Sequence, residues 1–197
     1  MEKYLYLLKP SFVDNWVNGG MVPLNNAEYY RRNERKGVFT PDECVTDTST
    51  HDFRKIPKLF EFGDDCNVSL GNFRYELMTP TGPTKEVHYT EMMTITRSFE
   101  DGLIFCACDT KSILTAKRFK KSFCVKIINI FELKKDLDEQ LGVEGIMRNC
   151  EYTKDHTRNT FLKSIKDSWQ EEFRIYWPNL QPREVYIKPG TAIEVKL

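Results

Sequence analysis

Apolar and polar residues alternate most cleanly near the C-terminus, where Phe173, Ile175 and Trp177 interleave with Glu172, Arg174 and Tyr176. A period of two puts the first three on one face of a β-strand and the second three on the other. Just upstream, Phe161, Leu162, Ile165 and Trp169 recur at helical spacing, which predicts a helix running into that strand. At the other end of the chain, residues 4–8 form a short apolar run stopped by Pro10. Ser11 then suits the cap of a brief helix through Trp16 and Val17, closed by Gly19 and Gly20, and residues 21–24 resume as a strand.

The middle of the chain reads more coarsely. Residues 27–35 predict a charged helix, and residues 46–58 look polar and irregular. Strand patterns follow at 58–62, 67–77 and 85–97, with Pro80-Thr81-Gly82-Pro83 as a hairpin turn. Residues 103–108 predict a buried strand, and residues 122–130, the longest apolar run rich in β-formers, predict a central one. Leu133, Leu137 and Leu141 stand one turn apart before Gly142, which predicts an amphipathic helix over residues 131–141. The expected fold is α+β: a mixed, mainly antiparallel sheet, or two small ones, with a few helices.

Composition adds bounds. A chain of 197 residues with no visible linker is expected to be one domain, and 40% hydrophobic with 13% aromatic residues is enough for a sizeable core. The 29 basic and 29 acidic side chains cancel, which removes any global charge argument for a nucleic-acid or membrane partner. Six cysteines without CxxC pairs read as reduced thiols, with Cys106, Cys108 and Cys124 in apolar runs where cysteine acts as a small hydrophobe. No leader pattern or long apolar run is evident, so the expected location is cytoplasmic, with no membrane contact.

The chemistry concentrates on the polar face of the 172–177 strand. A carboxylate fixed on a strand beside an amide is suited to stabilising positive charge on a sugar ring, and Glu172 with Gln170 supplies that pair. The plainer reading is a Glu172–Arg174 ion pair on a solvated edge strand. His51, His88 and His156 are scattered, and no metal site is expected. The run Lys117, Arg118, Lys120 and Lys121 is a solvated face or a phosphate-binding patch. Trp16, Trp169 and Trp177 read as core anchors, whereas Tyr29 and Tyr30, adjacent in a charged helix, cannot both face one core.

The strings KYLYLLKPSFVDNWVNGG, PLNNAEYYRRNERKGVFTPDEC and SWQEEFRI with VYIKPG resemble the ADP-ribosyltransferase superfamily, and more closely a group of small bacterial and phage-associated proteins taken to share that fold. The resemblance implies an ADP-ribosyltransferase-like domain with NAD as substrate. In that family the Q/E-x-E motif carries the catalytic glutamate, which implies Glu172 as catalytic and Gln170 as its target-orienting companion. A second register, REVYIKPGTAIEV, would give that role to Glu184. Tyr6, Lys9, Tyr30, Arg31 and Arg174 would contact the dinucleotide, although families of this fold usually offer Arg or His on the first strand. The implied activity is that of a toxin or phage-defence effector acting on a macromolecular acceptor, nucleic acid or protein, with an antitoxin as a conceivable partner. The alternative is a non-catalytic module that binds nucleic acid, a nucleotide or a protein. A metal-dependent nuclease using Asp42, Glu43 and Glu172 ranks last.

Overall fold

The computed structural model describes residues 2–31, 43–44, 47–52, 66–70, 92–97, 102–155 and 157–197. It is an α+β protein of mainly antiparallel sheet with few helices, and it divides into two compact units. The smaller, Val45–Phe99, holds β3 (Asp47–Asp52), β4 (Cys66–Leu70) and β5 (Met92–Arg97) as a three-stranded sheet in the order β3-β5-β4. Both of its ladders are antiparallel, with Thr50 opposite Thr94 and Val68 opposite Ile95. The polar string of β3 had suggested irregular chain, but strand pairing with β5 supplies what its own pattern lacks. The 58–62 strand, the 80–83 turn and the second half of the 27–35 helix lie outside the described residues.

The larger unit, Met1–Cys44 with Glu100–Leu197, is built on an eight-stranded sheet. Its strands are β1 (Lys3–Leu7), β2 (Gly20–Asn26), β6 (Gly102–Cys108), β7 (Phe123–Ile127), β8 (Ile146–Asn149), β11 (Glu172–Pro178), β12 (Arg183–Ile187) and β13 (Ala192–Val195). β6 is the hub. One of its edges pairs with β11 along its whole length, from Glu172 opposite Cys108 to Pro178 opposite Gly102. The other edge is shared, with Asn25 and Asn26 of β2 at its start and Tyr4 of β1 at its end. The sheet therefore forks into β2-β12 and β1-β7-β13. Pro23 lies in β2 beyond its pairs with β6, so the missing N–H leaves no donor open there. The apolar run of β7 is one strand from an edge, between β1 and β13, because β6 takes the centre.

One face of this sheet and two helices make the core. α1 (Pro10–Val17) buries Val13 and Trp16, the latter with its ring 5.8 Å from Phe105. Its N-cap is Lys9 and not Ser11, because Pro10 occupies the first helical turn, where a missing N–H costs nothing. Leu103, Phe105, Val125, Ile127, Phe173, Ile175 and Trp177 point to the same core. A second helix, α2 (Ala27–Arg31), follows β2 directly, and a third, α3 (Ile113–Phe119), links β6 to β7.

α4 (Ile130–Leu141) closes the core with Ile130, Leu133, Leu137 and Leu141. The Asn129 side chain accepts from the Phe131 N–H at 3.1 Å, and Gly142 ends the helix in the left-handed conformation at φ 68°. Asn129→Ala is expected to cost about 1 kcal/mol in urea unfolding, the usual worth of such a cap. Gln140, on the same helix, pairs with both backbone groups of Tyr186 on β12: its Oε1 accepts from the N–H at 2.8 Å and its Nε2 donates to the C=O at 2.9 Å.

Residues 161–169 are not one helix. Leu162–Ser164 is β10, paired in parallel with β9 (Glu151–Thr153), and Ile165–Gln170 is a 3-10 turn. Their apolar spacing matched a helical period by coincidence, since Phe161 is buried while Ile165 is exposed. Both short strands and the turn lie beside the start of β11, where the Cys150 N–H donates to the Glu172 C=O at 2.8 Å.

Candidate functional site

β11 carries its chemistry on the face away from the core, and that face is buried as well. The strand lies between β6 and β8, so the solvated edge expected from its sequence does not exist. Glu172, Arg174, Lys163, Glu43 and Gln170 are each at most 5% exposed. Arg174 donates from Nε to Glu172 Oε1 at 2.6 Å and from Nη1 to Glu43 Oε1 at 2.6 Å, with a further bond to the Thr160 carbonyl at 2.6 Å. Lys163 Nζ donates to Glu172 Oε2 at 2.5 Å and to Gln170 Oε1 at 2.8 Å, and stands 3.9 Å from Glu43 Oε2. Two carboxylates and two cations thus form a neutral quartet.

Each member is supported by its own element. Glu43 is held through its backbone, whose carbonyl accepts from Arg31 Nη1 at 2.8 Å. The Glu172 N–H donates to the Tyr152 hydroxyl at 2.9 Å, and Gln170 Nε2 donates to Asp167 at 3.4 Å. Buried side-chain nitrogen and oxygen atoms among the described residues all have partners, as a charged site of this depth requires.

The electrostatics follow from that packing. Burial by itself would raise the Glu172 carboxyl, but Arg174, Lys163 and a Cys106 hydrogen bond outweigh it and hold the group well below the usual carboxylate range. Glu43 is lowered in the same way, with Arg174 and Lys163 overcoming burial. Lys163 and Arg174 are raised, because the carboxylates outweigh the desolvation that opposes them. All four groups are therefore charged throughout the neutral range, and Glu172 can serve as a fixed anion but not as a proton donor. Nearby thiols move the other way. Burial pushes Cys106 up strongly and Cys150 to about 12, which removes both as thiolate nucleophiles.

Of the residues expected from sequence, Glu172 and Arg174 meet directly and Gln170 joins them through Lys163. Tyr30 joins them, packed against Ala27, Cys44 and Ile104, its hydroxyl raised by burial. Arg31 joins through the Glu43 carbonyl. Tyr6 lies apart, its hydroxyl accepting from the Ser112 N–H at 2.7 Å and donating to the Thr110 carbonyl at 3.0 Å. Lys9 is exposed at the start of α1. Glu184 is exposed on β12, separated from β11 by β6 and β2. Lys163 escaped sequence reading, since the helical spacing around it drew attention to its apolar neighbours. Glu43 entered the sequence reading as one of the acids of the nuclease alternative, with nothing to place it beside Arg174.

A crevice too narrow to hold a water molecule lies against the quartet and is lined by Glu43, Cys44, Arg158, Leu162, Lys163, Ser164 and Asp167. Among the described residues no cluster of three or more His, Cys, Asp or Glu side chains is arranged to hold a metal ion, and no helix is long and apolar enough to cross a membrane. No protein-family model matches the chain, and no curated protein or solved structure matches it.

Proposed function

We propose that the chain is an NAD-dependent ADP-ribosyltransferase in which Glu172 is the catalytic carboxylate and Gln170 orients the acceptor. The observation that carries this reading is the environment of the Lys163 ammonium. Three acceptors, Glu172 Oε2, Gln170 Oε1 and Glu43 Oε2, surround that one positive charge at 2.5, 2.8 and 3.9 Å. An anion kept ionised by its surroundings and fixed on an interior strand stabilises a cation without reorganising, which is what cleavage of the nicotinamide–ribose bond demands as charge develops on the ribose. In this reading the ammonium holds the place of the ribosyl cation. The bond breaks with its electron pair leaving on nicotinamide, and an acceptor nucleophile attacks the ribose carbon and gives up its proton to water.

The crevice has no room for a water molecule, whereas an ordinary small-molecule pocket offers roughly 300 Å³ or more. Turnover therefore requires Lys163 to swing off Glu172 as the dinucleotide enters, leaving Arg174 to hold the other carboxylate oxygen. A second reading, a non-catalytic binding module, is favoured by that same saturation. In it the quartet only ties Glu43 to β10 and β11.

Nicotinamide release from NAD separates the two. The purified protein is expected to turn NAD over, Glu172→Gln to lose about 100-fold, the usual effect of removing one electrostatic stabiliser, and Glu184→Gln to match wild type. Circular dichroism of Glu172→Gln shows whether its fold survives. Loss confined to Glu184→Gln would transfer the role to that residue. Absence of NAD binding by calorimetry, with no release by wild type, sinks the transferase reading and leaves the binding module.

A further inference from the structure

The segment from Lys111 to Ser122 is the most asymmetric stretch of charge in an otherwise balanced chain. It contains Lys111, Lys117, Arg118, Lys120 and Lys121 and no Asp or Glu. α3 forms its middle. Ser112 caps the helix by accepting from the Thr115 N–H at 3.2 Å, and Thr115 and Ala116 bury its inner side. Lys117, Arg118 and Lys120 are left exposed together. The first two favour the negative end of the helix dipole, which accounts for some of the charge. Lys120 stands at the same negative end. It occupies the left-handed C-cap at φ 54°, a position where a lysine costs about 1 kcal/mol and glycine costs nothing.

Aromatic rings are set among these cations. The Arg118 guanidinium lies 4.6 Å from the centre of the Trp169 ring, so this charge is held in place. Phe119 packs 4.8 Å from Trp169 and 5.8 Å from Tyr6. All three residues are half-buried, which leaves each partly accessible to solvent. Of the neighbouring acids Asp109 is paired with Lys3, whereas Glu171 and Asp167 accept from the neutral Thr110 hydroxyl and Gln170 amide and keep their charge, leaving the cations in the majority. Exposed Lys166, on the adjoining 3-10 turn, adds another positive charge.

We propose that this surface binds single-stranded nucleic acid. Phosphates would be met by Lys117, Arg118, Lys120 and Lys121, and unstacked bases by the open parts of Phe119, Tyr6 and Trp169. Clustered cations with interspersed partly open rings are the recognition chemistry of single strands, in which every base offers a π-face whatever its sequence. An acidic protein would use the cations but not the rings. Trp169 directly precedes Gln170 in the chain, so a bound strand lies beside the quartet. As the site of an acceptor the surface rests on the transferase reading; as a binding surface it does not.

The test is fluorescence anisotropy of a labelled oligothymidylate with the full chain. Binding is expected to weaken as salt rises. The triple variant Lys117→Ala/Arg118→Ala/Lys120→Ala is expected to flatten the slope of log affinity against log salt by about 2, at roughly 0.7 per lost cation on a single strand. Lys135→Ala, on α4, should leave binding unchanged, and circular dichroism should show the triple variant folded. Phe119→Leu adds a readout that charge alone does not move, a loss of affinity with the salt slope retained. No binding at low salt, equal binding by the triple variant, or binding to phosphatidylglycerol vesicles in place of the oligonucleotide would each overturn the proposal. Oligonucleotide binding without NAD turnover overturns the transferase and keeps the surface, and turnover without binding does the converse.

Discussion

Arg174→Met is expected to unfold at a markedly lower urea concentration than wild type, having lost about 3–5 kcal/mol at neutral pH. That is the usual cost of removing one partner from a buried ion pair, because the charge left behind is desolvated and unopposed. Glu43 suffers most, since its short bond to Arg174 has no substitute and Lys163 stands 3.9 Å away. Glu172 keeps Lys163 at 2.5 Å. Methionine fills much of the arginine stem's volume, so most of the loss is electrostatic.

Acidification supplies a check of sign. In wild type both carboxyls sit below their ordinary values, so they contribute stability that is present above the unfolded value of about 4.3 and fades as pH falls through the folded ones. In Arg174→Met the balance at Glu43 tips towards burial, which raises its carboxyl and makes proton uptake favour the folded state. The gap between the two proteins should therefore narrow between pH 7 and pH 5. A gap below about 1 kcal/mol at neutral pH, or one that does not change with pH, would mean that the quartet does not carry the stability assigned to it.

Trp177→Ala is expected to cost a further class of protein stability, about 3–5 kcal/mol, through the cavity it leaves. The indole is 0% exposed and lies in the main core. Its Nε1 donates to Asp138 Oδ1 at 2.6 Å, the same oxygen that accepts from the Gly145 N–H at 2.9 Å, while Lys134 pairs with Oδ2 at 2.5 Å. Asp138 thereby joins α4, the following loop and β11. Gly145 is needed for the approach, because a Cβ there would come within 2.5 Å of the indole nitrogen. Trp177→Phe separates the contributions. It keeps most of the apolar burial but removes the donor and the five-membered ring, so at least about 1.5 kcal/mol should be lost, the lower range for a hydrogen bond to a charged group, with a smaller packing loss added. Equal losses from both variants in urea titration would show that the hydrogen bond, and not the packing, dominates.

The elements legible in the sequence were those whose own residues decide them. β11 and α4 carry apolar positions at periods of two and near four, and those same apolar residues pack into the main core. α1 was visible too, although Pro10 fixes its start one residue before the serine that looked like a cap. β3 was hidden because DTSTHD has no apolar alternation and becomes a strand through β5. No composition change marks residues 45 or 99, so the division into two units left no trace in the pattern.

The candidate site was half legible for a related reason. Gln170, Glu172 and Arg174 are close in sequence, and strand spacing alone puts the last two on one face. What converts a surface pair into a buried quartet arrives from elsewhere, Glu43 from a position 131 residues before Arg174 and Lys163 from a short strand masked by helical spacing. Local patterns report which face a side chain takes. They do not report what will cover that face.

The amide of Gln140 bears on how copies of this chain coexist when concentrated. Among the described residues β12 ends one branch of the sheet, and the outward N–H and C=O of such a strand are a ready template for another molecule's backbone. Here the amide already fills both sockets at Tyr186. An incoming strand would have to evict it, breaking two bonds before making any. Lateral pairing is thus hindered at Tyr186 by one side chain, while Met21 and the Tyr186 side chain remain exposed.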